Sequence, residues 1–401
     1  MPHVPLAIRR LFPSSLRGIM RGWRMRLLKR SPIRLWQPES PRAPVGRALV
    51  SYITAPFSLY PEDHRNLQFS NTGIARSIVQ TLNNLGYQVD LVEWDNTRFR
   101  PRRPYDLFFG HGGSNFAPLA RQMPPQATKI YFATTLEWRE QNRREARRFA
   151  ELTARRGVSL PSDRRISDNE DEAYAIADSI ICLGNEEARA TFAAFPHVIN
   201  INNAAYEDAQ PLLAAKDFAQ GSNRFLFFSS TGNVHKGLDR LLEAFVQTEC
   251  HLYICQNITP EFANVYHNEL SAPRIHTIGY VLMRSPEFHD LMRTCNFIIH
   301  PSCAEGQPGS VLECMHRGLI PVLSRENNID TGEFGITLPD CDVPTIARMV
   351  TELSRQTLDW YADKARQTQQ AARQHHSAQG FSSELRSAVE RIQAGKAELS
   401  F

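Results

Sequence analysis

The sequence predicts an α/β protein of two parallel sheets, each flanked by helices, facing one another across a cleft. Three observations predict it. A chain of 401 residues suits two or three domains. Short apolar runs alternate with helix-period segments along most of its length. The alternation also runs twice, with a break near residues 204–222. Composition narrows the class further. With 42% hydrophobic and 22% charged residues the chain is neither low-complexity nor collagen-like. No run approaches the eighteen apolar residues of a membrane-spanning helix. The 7 cysteines are scattered, odd in number and free of any Cys-x-x-Cys pair. That argues against a disulfide framework or a zinc knuckle and for a reducing compartment, so the expected location is the cytoplasm.

The first series opens with a strand over Ala48–Thr54, followed by helix periodicity over Gly73–Leu85 that stops at Gly86, a C-terminal glycine signal. Strands follow at Val89–Trp94, Leu107–Phe109 and Lys129–Ala133, then a long charged helix over Glu137–Arg155. The strand Ser179–Leu183, a helix near Glu186–Phe195 and the strand Val198–Ile201 complete it. The second series reads strand Phe225–Ser229, helix Leu238–Phe245, strands His251–Cys255 and Ile275–Ile278, helix Glu287–Arg293, strand Phe297–His300, helix Val311–Arg317 and strand Ile320–Ser324. Helices after Pro344 finish it, and the last, near Ser382–Gln393, is placed to cross back to the first domain. The expected division is an arm and linker over 1–44, a first domain over 45–205, a second over 206–380 and a returning helix over 381–401.

Charge is uneven. Residues 1–44 hold ten Lys/Arg and one acid, leaving 36 bases and 41 acids for the rest. The body is therefore no nucleic-acid binder by charge. Leu16, Ile19, Met20, Trp23 and Leu27 share one helical face, with Arg17, Arg21, Arg24, Arg26 and Lys29 around it. A Trp-bearing stripe among arginines suits an anionic bilayer surface. A helix docked on the protein's own body, a disordered basic tail or a mitochondrial-type presequence accounts for the same pattern. Pro38, Pro41 and Pro44 make a short stiff linker.

In sheets of this kind ligands sit at the carboxyl ends of the strands, so chemistry is sought in strand-to-helix turns. The richest is 300–322, where Glu305 precedes a helix beginning near Ser310 and Glu313 lies eight positions on. Ser310 is placed to cap, the amides of Ser310, Val311 and Leu312 offer an anion or hydroxyl site, and the two carboxylates suit vicinal hydroxyls of a sugar or ribose. The plain alternative is a loop carboxylate on the helix dipole and an exposed helix glutamate. The second turn runs from Phe227 through Gly232 to Lys236-Gly237 and an amphipathic helix. A lysine beside backbone amides is a diphosphate cradle, against the plain alternative of a solvated surface lysine.

The first of these segments resembles the Glu-x7-Glu element of retaining glycosyltransferases with two Rossmann-like domains (GT-B), especially family 4. Glu305, Gly306, Pro308, Ser310-Val311-Leu312, Glu313, Met315, Gly318 and Pro321-Val322 carry the match. Lys236-Gly237, Asp239, Leu241-Leu242 and Ala244-Phe245 fit the family's second motif. One departure stands upstream: no arginine follows Gly232, leaving Asn233, His235, a serine or an arginine from elsewhere to meet the diphosphate. Weaker parallels are Ile278-Gly279-Tyr280-Val281, similar to the turn that meets the nucleotide base, and Ala177–Ile181 with Ile201-Asn202-Asn203 at the end of the first domain.

The resemblance implies two facing Rossmann-like domains with an interdomain cleft, and metal-independent retaining transfer of a hexose from a nucleotide-diphosphate sugar to an acceptor hydroxyl. It implies Lys236 at the leaving phosphates, Glu305 on donor-sugar hydroxyls and Glu313 on the ribose. No metal and no cofactor beyond the donor are expected. In the first domain His111, in the turn Gly110–Gly113, is a candidate for the donor sugar or for the positive charge that develops on it; a surface turn histidine is the plain alternative. The segment Ser70–Gly73 is a candidate phosphate or acceptor loop, and His64, Arg65, Glu137 and Trp138 are candidate acceptor contacts. Tyr52 and Trp94 read as core. Arg139, Arg143, Arg144, Arg147 and Arg148, interleaved with Glu140 and Glu145, read as a solvated face. A polymer or lipid-linked acceptor, in surface polysaccharide or glycolipid assembly, gives the basic arm a purpose: holding the enzyme peripherally on the inner face of a membrane. Two rivals remain, a GT-B nucleotide-sugar epimerase and a non-catalytic nucleotide-sugar-binding protein.

Overall fold

The computed structural model describes residues 32–35, 43–58, 70–167, 169–205, 213 and 216–398. His64, Arg65 and nearly all of the basic arm lie outside them. The chain forms two sheets. The first has seven strands in the order β1-β3-β2-β4-β5-β6-β7: β1 (Ile33–Leu35), β2 (Gly46–Tyr52), β3 (Tyr87–Glu93), β4 (Leu107–Gly110), β5 (Thr128–Ala133), β6 (Ser179–Leu183) and β7 (Val198–Ile201). The second has six in the order β10-β9-β8-β11-β12-β13: β8 (Arg224–Phe228), β9 (His251–Cys255), β10 (Ile275–Thr277), β11 (Phe297–His300), β12 (Ile320–Leu323) and β13 (Ile336–Thr337). All pairings are parallel except β1 on β3. Both sheets are buried on both faces, which is why strands such as Leu107–Gly110 and Ile320–Leu323 read as unbroken apolar runs.

Three expectations change at this level. Residues 33–35, assigned to the arm and linker, form an antiparallel edge strand, Ile33 opposite Leu91. Ile33 and Leu35 pack toward the core while Arg34 points outward, the alternation of a half-buried edge. Ser70–Gly73 is not a loop, because the helix Ser70–Asn84 already starts there. The helix begun at Glu186 ends at Ala190, and turns follow.

The chain crosses between the sheets more than once. The helix Trp138–Arg156 follows β5, yet Leu152, with Phe149 and Leu160, packs into the cluster of Phe225, Leu238 and Leu241 beneath the second sheet. Its last turn is tied to that side: Arg155 bridges Asp239 at 2.5 Å and Glu243 at 3.1 Å, and Arg156 meets Glu269 at 2.8 Å. The final helix, Ala378–Glu398, returns to the first sheet, where Phe381, Leu385, Ala388, Val389 and Ile392 complete the core beside Ile74, Ile78 and Leu82. The crossings at 203–205 and 376–377 run side by side, with the Ala205 amide on the His376 carbonyl at 3.0 Å and Asn203 O against His376 Nδ1 at 2.9 Å. Among the described residues no helix is long and apolar enough to cross a membrane, and the seven cysteines are all unpaired.

Candidate functional site

The turn after β8 and the loop after β11 are stapled together. Gly232 and Gly237 take left-handed backbone conformations, and the Lys236 amide donates to the Gly232 carbonyl at 3.0 Å. The Cys303 amide then donates to the His235 carbonyl at 2.9 Å, setting the two segments in register. The result brings Lys236 Nζ onto Glu305 Oε1. Ser302 Oγ donates to the same carboxylate oxygen at 2.8 Å. Lys236 is 5% exposed and Glu305 9%, so neither is a solvated surface charge.

The electrostatics follow from burial and mutual attraction. Burial alone raises a carboxyl, but Lys236, with His300 and His235 nearby, outweighs it and holds Glu305 below the usual carboxylate range. Burial lowers Lys236, and Glu305 offsets part of that. His300, buried and beside Lys236, is brought down to about 4 and is neutral at ordinary pH. Its Nδ1 lies 2.6 Å from Asn327 Oδ1. The pair therefore stands ionised, a fixed dipole at the carboxyl edge of the second sheet.

The first domain covers this edge closely. At Gly306 a side-chain Cβ would stand 2.4 Å from the Thr134 carbonyl oxygen, so only glycine allows the approach. Gln307 is a buried non-glycine residue at φ 59. Its Oε1 accepts the Asn203 amide at 2.6 Å, and its Nε2 donates to Asn202 Oδ1 at 3.0 Å and to the Asn328 carbonyl at 2.9 Å. Arg148, expected on a solvated face, is 5% exposed and donates to the Pro301 carbonyl at 2.9 Å. Glu145, also expected to be solvated, is 1% exposed and sits 3.5 Å from His235 Nδ1, an ionic contact without an aligned hydrogen bond. Arg139, Arg143 and Arg147 are exposed as that reading supposed, and Glu140 pairs with Arg143 and Arg144 on the same outer face. Charge interleaving could not separate the two faces, because both carry Glu and Arg. Helical spacing does: Gln141, Glu145, Arg148 and Leu152 form the buried stripe.

Other expected residues fall as follows. Glu313 is 1% exposed and takes Arg317 Nη1 at 2.8 Å, so it is not the exposed helix glutamate of the plain alternative. Ser310 does not cap. Pro308 holds the N-cap position of Gly309–Met315, and its carbonyl accepts the Val311 and Leu312 amides at 3.0 and 3.2 Å. The side chains of Val311 and Leu312 are core. Tyr280 is 45% exposed at the rim beyond β10, after Gly279 in a left-handed conformation. His111 is partly exposed, its Nδ1 2.9 Å from the Phe132 carbonyl and its ring 5.7 Å from that of Trp94. Burial draws its pKa down, against the Phe132 hydrogen bond. Tyr52 is core, but Trp94 is 36% exposed beside His111 and Gly112. Glu137 caps its own helix through the Arg139 and Glu140 amides at 2.9 and 3.0 Å, and Trp138 Nε1 donates to Asp171 at 3.0 Å, which gives both structural work. Asn233 and His235, candidate phosphate contacts, are spent internally: Asn233 on Gln256 at 2.7 Å and Asn257 at 3.1 Å, and His235 Nε2 on the Ala304 carbonyl at 2.8 Å. Contrary to the expectation that the chain has none, one Asp-x-Asp triplet occurs, Asp340-Cys341-Asp342, with both carboxylates exposed; Asp340 takes the Asp342 amide at 2.9 Å and Asp342 takes Arg240 at 3.0 Å.

Comparison with known proteins bears on this arrangement. Residues 222–356 match the family Glycosyl transferases group 1. No curated protein sequence matches the chain. Among solved structures it is similar to sucrose-phosphate synthase from Thermosynechococcus elongatus, at 13% identity and TM-score 0.59, over 88% of this chain and 100% of that one. It is similar to Anabaena HepE in complex with UDP-glucose, at 14% identity and TM-score 0.53, over 88% and 99%. It is also similar to S. aureus TarM, at 14% identity and TM-score 0.53, over 70% of this chain. The matched part is 54% of the TarM chain, about half its length. The chain thus has the GT-B fold of two Rossmann-like domains, and its second domain carries the Glycosyl transferases group 1 match.

Proposed function

We propose that this protein transfers a sugar from a nucleotide-diphosphate sugar to an acceptor hydroxyl with retention at the anomeric carbon. The observation that carries the reading is the buried Lys236–Glu305 pair at the carboxyl edge of the second sheet, inside the matched segment. The leaving diphosphate departs beside Lys236, whose ammonium offsets the growing charge in a site with little water to screen it. Glu305, kept ionised, accepts hydroxyls of the donor sugar. A neutral His111 accepts a further sugar hydroxyl from the first domain. Tyr280 offers a ring at the rim for the base, and Glu313 takes the ribose. The departing diphosphate takes the acceptor proton, and the protein supplies positioning and charge.

Two features support this reading: HepE and TarM, which share the fold, have been crystallised with UDP-glucose and UDP respectively, and the pair is too buried to be a surface ornament. A sugar polymer or lipid-linked acceptor remains the expected class, with the arm as its membrane tether. The test is release of nucleoside diphosphate from a panel of UDP-, GDP- and ADP-sugars. Slow release by the wild type, lost in Lys236→Ala and Glu305→Ala, is the expected result. Release indifferent to both substitutions removes the site, and product formation without any acceptor points to an epimerase instead.

A further inference from the structure

The Lys236–Glu305 pair leaves a charge problem. Its ammonium is already balanced by a carboxylate, so the pair brings no net positive charge to a diphosphate. Asn233, on the same turn, is spent internally, and the charge of His235 is balanced by Glu145 at 3.5 Å while its Nε2 is held by the Ala304 carbonyl. A second cation has to come from another segment.

One arrives from the first domain. Helix Trp138–Arg156 fixes the loop that follows it with three side chains of one face. Glu145 Oε1 accepts Ser162 Oγ at 2.6 Å, the Asp163 amide at 3.1 Å and the Arg164 amide at 2.8 Å. Gln141 Nε2 donates to the Arg164 carbonyl at 3.1 Å, and Asn142 holds both the amide and the carbonyl of Ile166 at 2.9 Å. So held, Arg164 lies across the turn that carries Lys236. A Cβ at Gly232 would stand 2.8 Å from Arg164 Cγ, and Nη1 is 3.5 Å from Thr231 Oγ1. Its positive charge is felt at both Lys236 and Glu305. Among the described residues its guanidinium forms no ion pair, unlike Arg155 and Arg156 on the same seam. The adjoining Asp163 carboxyl is raised by burial, with His235 and the Asn233 and Val234 amides drawing it back down, so a negative group already sits beside this turn.

We infer that Arg164 is the second diphosphate-binding cation of this protein, supplied across the domain seam and positioned by Glu145. The inference rests on the proposed nucleotide-sugar reading. It makes the ligand a tie between domains, because the diphosphate takes Lys236 from one and Arg164 from the other.

The test is calorimetric binding of UDP, GDP and ADP, and of uridine, guanosine and adenosine, to the full chain and to Arg164→Gln, Arg164→Lys and Lys236→Gln. Arg164→Gln is expected to weaken the preferred diphosphate by roughly tenfold to a hundredfold, the worth of a charge-assisted hydrogen bond. The matching nucleoside should change less than about threefold, and Arg164→Lys should recover part of the loss. Arg164 is exposed, so melting without ligand should stay within about 2 °C of wild type. If Arg164→Gln binds the diphosphate as wild type does while Lys236→Gln has lost it, the Arg164 assignment falls and the proposed function stands. Equal weakening of nucleoside and diphosphate by Arg164→Gln also overturns the assignment, since a merely structural residue would do that. If the wild type binds none of the three diphosphates, both fall together.

Discussion

Replacing Lys236 by methionine separates the structural and chemical work of the buried pair. The substitution keeps side-chain length and removes the charge, leaving Glu305 at 9% exposure without its ammonium. Stranding one member of a buried ion pair costs about 3–5 kcal/mol. Ser302 stays on the carboxylate at 2.8 Å and His235 remains 3.9 Å away, which places the expected loss near the lower end, about 3 kcal/mol. For domains of this size that is a fall in Tm on the order of 6–12 °C by calorimetry. Release of nucleoside diphosphate should fall separately by about 10²–10³, the effect of deleting one group that stabilises transition-state charge. The double variant Lys236→Met/Glu305→Gln carries no stranded charge and should recover most of the Tm while staying inactive. A single variant that melts with the wild type shows that the pair contributes nothing to stability. A double variant that regains turnover shows that Lys236 does no chemistry, and the reasoning fails at that step.

His235 is buried, which disfavours its cation, but Cys303 and Glu145 push its pKa up to about 10. The folded value lies above the ordinary 6.5, so the stabilisation is complete below about pH 6.5 and is lost as pH rises through about 10, at a slope of up to roughly 1.4 kcal/mol per unit; denaturant titrations should show this decline, and Glu145→Gln should flatten it. Asp163→Asn removes a negative charge from beside the Lys236 turn and should tighten diphosphate binding by about threefold or more; weaker binding in that variant contradicts the placement. Gln307→Ala should destabilise by about 2–3 kcal/mol, stranding the buried Asn203 amide, whereas Gln307→Gly should lose about 1 kcal/mol less because φ 59 no longer strains it. Deleting residues 1–44 takes away β1 and its register with Leu91, so Tm should drop, and any vesicle-binding test of the arm should instead stop at residue 31.

The two parallel sheets were legible because doubly buried strands leave unbroken apolar runs and the intervening helices keep their period. The glycines and prolines of 305–322 made the second domain the easier half. What escaped is instructive residue by residue. Ile33-Arg34-Leu35 is too short for its alternation to stand out among arginines. Glu145 and Arg148 look solvated because their helix carries charge on both faces, and only their spacing from Gln141 to Leu152 sets them on the covered one. Gln307 is not among the positions that carry the motif match, and its left-handed backbone leaves no mark in composition. Arg164 lies 68 residues before Gly232, in a loop with no periodicity of its own. Trp94 is the converse case: a large ring that reads as core stands at the surface beside His111.

The closing helix has a consequence for synthesis. Phe381, Leu385, Val389 and Ile392 plug a core that belongs to the amino-terminal sheet. A ribosome delivers that sheet well before its missing wedge, so the sheet waits with an open apolar seam until residues 378–398 have emerged. Expressed by itself, the fragment ending at residue 205 would keep that seam bare and would be prone to clump.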